Sequence, residues 1–138
     1  MDIQYRVPAL AIAVTALLGM SGCTGQAESY SDLTQAADGE KSVPDAIPDS
    51  ARGNFDAESI RWIGEHEGSE LWLGTAADSR GVCLLLYPDP ERWVVGCTDG
   101  AVLSLNRGGA WDYHVRPDDH APPSEAVQVS SNVYVTKR

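Results

Sequence analysis

From residue 57 onward, the chain alternates between short apolar runs and turn residues. The runs are rich in β-branched and aromatic side chains and are separated by Gly, Pro, Asp and Asn, while no helical period persists. They occupy residues 60–66, 71–75, 82–87, 92–97, 101–105, 111–116 and 127–136. This pattern predicts an all-β domain: a small antiparallel, strongly twisted sheet or partly closed barrel of five to seven strands, closing towards a barrel or sandwich. Because both faces of the run 82–87 are apolar, we expect that strand to be covered on both sides.

The third and fourth runs predict a hairpin with a defined register. A five-residue loop at 88–92 places Tyr87 opposite Trp93 and Cys83 opposite Cys97. Directly opposed residues have Cβ atoms about 4.5–5.5 Å apart, close to the separation in a disulfide. We therefore predict a disulfide between Cys83 and Cys97. Free or metal-bound thiols are the alternative, but a zinc site would need two further ligands at a familiar spacing.

Residues 24–53 have a different composition from the region that follows them. They are acidic, rich in Ser, Ala, Gly, Asp and Pro, and contain few large apolar side chains. Such a segment buries too little surface to offset its ordering entropy, which predicts a disordered tether with at most a short helix near 32–37. About 30 residues of this kind reach roughly 30 Å. The expected organisation is residues 1–22 as a signal peptide, 23–53 as attachment site and tether, and 54–138 as the β domain.

The first 23 residues resemble an export signal. Arg6 precedes an uncharged apolar stretch at 7–20, whose length of about 14 residues suits a secretory signal rather than a membrane-spanning helix, which needs roughly 20. The sequence Met20-Ser21-Gly22-Cys23 resembles the lipobox of bacterial lipoproteins. That resemblance implies cleavage before Cys23 and a lipid with palmitate-type chains on its thiol. The alternative is an ordinary secretory signal with a chance cysteine.

An exported lipoprotein would lie on the extracytoplasmic face of the cell membrane, held there by acyl chains on Cys23. Cleavage leaves about 116 of the 138 residues, enough for one small domain. In an oxidising compartment, Cys83 and Cys97 then remain as an even pair, in keeping with a disulfide. The net charge of -10 repels phosphate backbones, so nucleic acid is not an expected partner.

Candidate catalytic and metal-binding residues are few. Asp118, Asp119 and His120, with His114 upstream, offer carboxylates and imidazoles, but consecutive residues beside prolines are typical of a solvated loop rather than converging ligands. Residues 65–67 (Glu-His-Glu) alternate between faces and indicate a hairpin end. Serine-nucleophile and phosphate-binding motifs are absent from the sequence. We therefore expect a protein that is not an enzyme, without a metal or cofactor.

Four tryptophans are many for a domain of this size. On an exported protein they suggest a platform for stacking glycans, and Trp62, Trp72 and Trp111 are the candidate ligand-facing aromatics. Small β domains also use Trp and Tyr to fill a thin core, which is the structural alternative for these side chains.

Residues 59–135 contain the segments RWIGEHEGSELWLG, GVCLLLY, RWVVGC and NVYV. Together they resemble uncharacterised extracytoplasmic domains of high-GC Gram-positive bacteria, a resemblance that implies a small disulfide-bonded β domain and no particular activity. The first functional hypothesis is a membrane-anchored, non-enzymatic accessory module that binds another cell-envelope protein. The alternative is a binding module for cell-wall glycan or a small solute that uses exposed tryptophans.

Overall fold

The computed structural model describes residues 27–34, 41–78 and 80–138. Its elements are α1 (Ser31–Thr34), α2 (Asp49–Arg52), β1 (Arg61–His66), β2 (Ser69–Thr75), β3 (Val82–Tyr87), β4 (Val94–Cys97), β5 (Leu103–Asn106), β6 (Trp111–Val115), β7 (Val127–Gln128) and β8 (Val133–Lys137). The predicted all-β antiparallel class is confirmed. Across the described residues, eight strands form two four-stranded sheets that pack as a sandwich, one of the two closures expected, with one strand more than the predicted five to seven.

The first sheet is a meander in which β1, β2, β3 and β4 pair antiparallel in chain order. Its β3–β4 register places Cys83 opposite Cys97, and the two sulfurs are bonded. The predicted hairpin and disulfide are therefore confirmed. The ladder begins at the pair Leu86 and Val94, so Trp93 lies one residue before β4.

The second sheet has the order β5–β6–β8–β7, and all its neighbours are antiparallel. The run 127–136, predicted as one strand, is divided into β7 and β8. The two strands pair with each other across a turn at 129–133, where the Val129 amide donates to the Val133 carbonyl at 2.8 Å. The extra strand arises because the polar residues 130–132 interrupt the apolar run.

The main core lies between the two sheets and is formed by alternate residues of their strands. From the first sheet it contains Leu71, Leu73, Val82, Leu84 and Leu86, and from the second Leu103, Tyr113, Val115, Val133 and Val135. Most of these side chains are 0% exposed. Full burial of each aliphatic side chain stabilises the fold by about 1.5–3 kcal/mol, so this layer holds the sheets together.

A second core covers the opposite face of the first sheet. There Trp72, Cys83 and Leu85 pack against Ile47 and Phe55, which come from the segment that precedes β1. The structure thus confirms that β3 is apolar and buried on both faces. Among the residues that the structure describes, such a second core covers the first sheet alone.

The prediction of a disordered tether at 23–53 is wrong for residues 27–34 and 41–53. Tyr30 and Ile47 are 6% and 2% exposed, and Tyr30 donates its hydroxyl to the Ala101 carbonyl at 2.5 Å. The average composition of the segment is polar and therefore did not predict that these few apolar side chains would each pack into a site on the sheets. Helix α1 covers part of the short helix expected at 32–37. Cys23 and the signal segment lie outside the described residues.

Candidate functional site

An open groove of about 520 Å³ lies at one end of the sandwich. It is lined by Arg92, Trp93 and Val94 at the start of β4 and by Arg107, Gly108 and Gly109 in the β5–β6 turn. These two segments belong to different sheets, so the groove exists only because the sheets pack face to face.

The loop that presents Arg92 is organised by Asp89. One carboxylate oxygen of Asp89 accepts the amides of Glu91 and Arg92 at 3.0 and 2.9 Å, and the other accepts the Arg92 guanidinium at 2.6 Å. The hydrogen bond from the Arg92 side chain lowers the pKa of Asp89, despite a smaller opposing effect of desolvation. The guanidinium is therefore oriented by the carboxylate yet remains 72% exposed.

The turn that presents Arg107 is organised by Asn106. The side-chain amide of Asn106 donates to the Trp111 carbonyl at 3.0 Å, and its oxygen accepts the Gly108 amide. Gly108 has φ +84, a backbone conformation that favours glycine. Arg107 is exposed and has no ion-pair partner among the residues that the structure describes.

Two arginines thus line one groove on a chain whose net charge is -10. Arginine presents N–H donors in a planar fork that matches carboxylate and phosphate oxygens. The arrangement is suited to an anionic ligand. Sequence reasoning missed these residues, because each arginine reads as an ordinary turn residue and only the packing of the sheets brings the two turns together.

The tryptophans named from the sequence do not form a platform. Trp72 is 1% exposed and donates its indole N–H to the Lys41 carbonyl at 3.1 Å, so its prediction as a ligand-facing residue is wrong. Trp62 is half-buried against the second core, with the Lys41 ammonium 4.9 Å from its ring centroid. Trp111 is half-buried against the main core instead. Trp62 and Trp72 are cross-strand partners on the same face of the first sheet, whereas Trp111 packs against the main core.

The Glu65-His66-Glu67 segment is a hairpin end, as the sequence indicates. Glu67 and Gly68 form the β1–β2 turn with φ values of 48 and 73. The His66 ring contacts Trp111 edge-on at a centroid distance of 4.8 Å, and its Nδ1 lies 3.3 Å from the Tyr113 hydroxyl. Burial is the main cause of the raised pKa of Tyr113. The histidine therefore belongs to an aromatic contact that closes this end of the core.

His114 lies on the outer face of the second sheet. Its Nδ1 is 3.0 Å from the Ser104 hydroxyl and its Nε2 is 2.9 Å from the Thr136 hydroxyl. Desolvation lowers the pKa of His114, and the positive charge of Arg116 lowers it further. Within the described chain, both ring nitrogens contact hydroxyls rather than a carboxylate that would orient the imidazole for nucleophilic catalysis.

The loop with Asp118, Asp119 and His120 contacts a residue that sequence spacing could not suggest. Glu28, about ninety positions away, lies beside this loop, so that one ligand atom each from Glu28, Asp119 and His120 falls within 4.8 Å of the others. The His120 Nδ1 is 3.1 Å from Asp119 and 3.9 Å from Glu28. The two carboxylates are exposed, and exposed acidic groups of this kind are common without a bound cation.

Comparisons with protein-family models, curated proteins and solved structures found no match to this chain. In the described part of the chain, both helices are single turns, and neither is long and apolar enough to cross a bilayer.

Proposed function

We propose that the chain is a non-enzymatic binding module on the extracytoplasmic face of the cell membrane, anchored by lipid on Cys23. The site is the groove between Arg92 and Arg107, and the ligand is a small solute or glycan fragment that bears a carboxylate or phosphate. The observation that carries this proposal is that two exposed arginines line one cavity of an acidic protein. The lipobox resemblance at Met20–Cys23 supports the anchor.

The dimensions of the groove support a small ligand. Ligand pockets usually measure about 300–1,000 Å³, and this groove has about 520 Å³. Two charge-assisted contacts contribute roughly 1.5–3 kcal/mol each, and the entropy lost on association offsets part of this, so we expect a Kd on the order of millimolar or weaker. Arg107 should contribute more than Arg92, because the Arg92 fork already donates to Asp89.

The groove is tested by titrating the folded protein with glucuronate, inorganic phosphate and glucose while following backbone amide shifts by NMR. We expect saturable shifts at 92–94 and 107–109 with one or both anions and none with neutral glucose. Arg107→Ala should weaken binding about tenfold, equivalent to about 1.4 kcal/mol. Arg80→Ala is the matched control, because Arg80 is also an exposed arginine but does not line the groove.

Equal affinity in the Arg107 and Arg80 variants would contradict the proposed site, as would equal shifts with glucose.

The anchor has a separate test. Membranes of a lipoprotein-processing bacterial host that expresses the full chain should yield a Cys23 peptide with the mass of a lipidated cysteine. Secreted protein with an unmodified Cys23 would refute the anchor without affecting the groove.

A second candidate function is the binding of another cell-envelope protein by the outer face of the second sheet. The corresponding face of the first sheet is covered by the segment with Ile47 and Phe55. On the second sheet, Ser104, His114 and Thr136 contact one another across the strands. A photo-crosslinker at Thr136 should capture a neighbour on intact cells, whereas one at the exposed Glu58 should not. Equal capture from both positions would count against this surface.

A further inference from the structure

The segment before the β domain is fastened to one end of the sandwich. Ser29 exchanges backbone and side-chain hydrogen bonds with Asp118, each 2.9 Å long. The Asp32 carboxylate accepts the Ser130 hydroxyl at 2.6 Å and the Asn132 amide at 2.9 Å. We call residues 28–34 the strap. It holds the chain at a fixed point soon after Cys23.

The fixed point limits how far the domain can stand from its anchor. Ser29 is six positions after Cys23, and six extended residues span at most about 20–22 Å. A flexible chain of that length has an r.m.s. reach of about 12–15 Å. A tether that ran freely to residue 53 would instead reach roughly 30 Å. The strap therefore makes the reach from Cys23 to the domain much shorter than the roughly 30 Å that the composition of residues 24–53 predicts.

The directions of β6 and β8 show which end of the sandwich the strap contacts. β6 begins just after the β5–β6 turn with Arg107 and ends just before the loop with Asp118. β8 runs in the opposite direction and begins just after residues 130–132. The strap thus lies at one end of the second sheet and the groove at the other, separated by the five residues of β6, or about 17 Å.

From these contacts we infer that the strapped end of the domain is an interface that faces the membrane at close range, so that the Arg92–Arg107 groove faces away from the bilayer. This inference rests on the proposed lipid on Cys23. The occupant of this interface is the bilayer that holds the anchor, because only six positions separate Ser29 from Cys23.

Charge at the strapped end sets the nature of this contact. Glu28, Asp118 and Asp119 are exposed there. Carboxylates repel anionic lipid headgroups over a screening length of about 8 Å at physiological ionic strength. The domain is therefore held near the surface by its tether without adhering to it. The groove remains open to solutes from the outer side.

The inference is tested with the full-length lipidated protein in vesicles that contain acceptor-labelled lipid. A donor fluorophore is attached at Ser131→Cys, at the strapped end, or at Gly109→Cys, beside the groove. Both positions are exposed, and a Cβ at Gly109 would meet no neighbour within 4 Å. We expect energy transfer from position 131 to be at least about twofold higher, because strand length separates the two ends by roughly 17 Å.

Inserting about 20 Gly/Ser residues between Gly25 and Gln26 should lower transfer from position 131 and bring the two positions close to equality, because the r.m.s. reach from Cys23 to Ser29 then rises from about 12–15 Å to about 25–31 Å. Equal transfer without the insertion, or unchanged transfer after it, would overturn the inference while leaving the anchor intact. Mass spectrometry of the same preparation distinguishes the remaining case, since an unmodified Cys23 would overturn the anchor and the inference together.

Discussion

Asn132 joins the strap to the sandwich, and its replacement should cost more stability than a polar residue usually does. The side chain is 0% exposed. Its oxygen accepts the Asp32 amide at 2.9 Å, and its nitrogen donates to the Arg116 carbonyl at 2.9 Å and the Asp118 carboxylate at 2.8 Å. Three lost bonds at about 1 kcal/mol each, with partial rehydration at exposed Asp118, give a destabilisation of roughly 2–3 kcal/mol for Asn132→Ala.

Urea unfolding of the variant and the parent protein measures this difference directly. Gln128→Ala is the matched control, because Gln128 also carries an amide but is exposed on the short strand β7. Hydrogen exchange adds a local readout, since the Asp32 amide should exchange faster once its acceptor is removed. The pKa of Asp118 should rise as well, because its hydrogen bond from Asn132 is the main cause of its lowered value. A loss below about 1 kcal/mol would refute the reasoning, because it would fall within the contribution of one ordinary hydrogen bond.

Three further predictions concern the sandwich itself. Gly81→Ala should destabilise the fold by about 3 kcal/mol or more, since its Cβ would lie 1.5 Å from a backbone carbonyl oxygen in the turn after β4, whereas Gly109→Ala should be nearly neutral in thermal unfolding. Reducing the Cys83–Cys97 disulfide should cost about 3 kcal/mol in the chain-entropy treatment of a loop of this size, and equal urea midpoints with and without reductant would contradict this. Burial, aided by nearby carboxylates, raises the pKa of Tyr30 from 10.0 to about 12, so its stabilising contribution should be complete below pH 10 and lost as the pH rises to 12. Tyr30→Phe should remove that part of the alkaline stability loss, and an unchanged pH profile would refute it.

The β3–β4 hairpin illustrates what local patterning can predict. A five-residue loop at 88–92 places apolar residues opposite each other and cysteines opposite each other in the same register. The observed ladder has Cys83 opposite Cys97. This register depends only on residues within the hairpin itself. Strand alternation and the length of the turn are therefore sufficient to predict it. The division of the last run into β7 and β8 was missed because its turn is closed by contacts with the strap, about a hundred positions earlier.

The strap and the groove show where sequence reasoning failed. An average over residues 24–53 indicates disorder, yet Tyr30 and Ile47 each enter a core. A few apolar side chains can order a polar segment when complementary sites already exist on a folded surface, and composition cannot reveal such sites. The prediction that the tryptophans face a ligand failed for a related reason. Whether a tryptophan is exposed depends on how the sheets pack, which the sequence does not reveal.

By itself, the sequence determined the antiparallel β class, the register of the disulfide hairpin and the burial of β3 on both faces. Each of these depends on alternation and turn chemistry within about fifteen residues of chain. Only the tertiary structure decided that the strands form two sheets, that the strap closes one end, and that Arg92 and Arg107 meet at the other. These features join residues far apart in the chain, and their positions are set by which apolar faces bury one another.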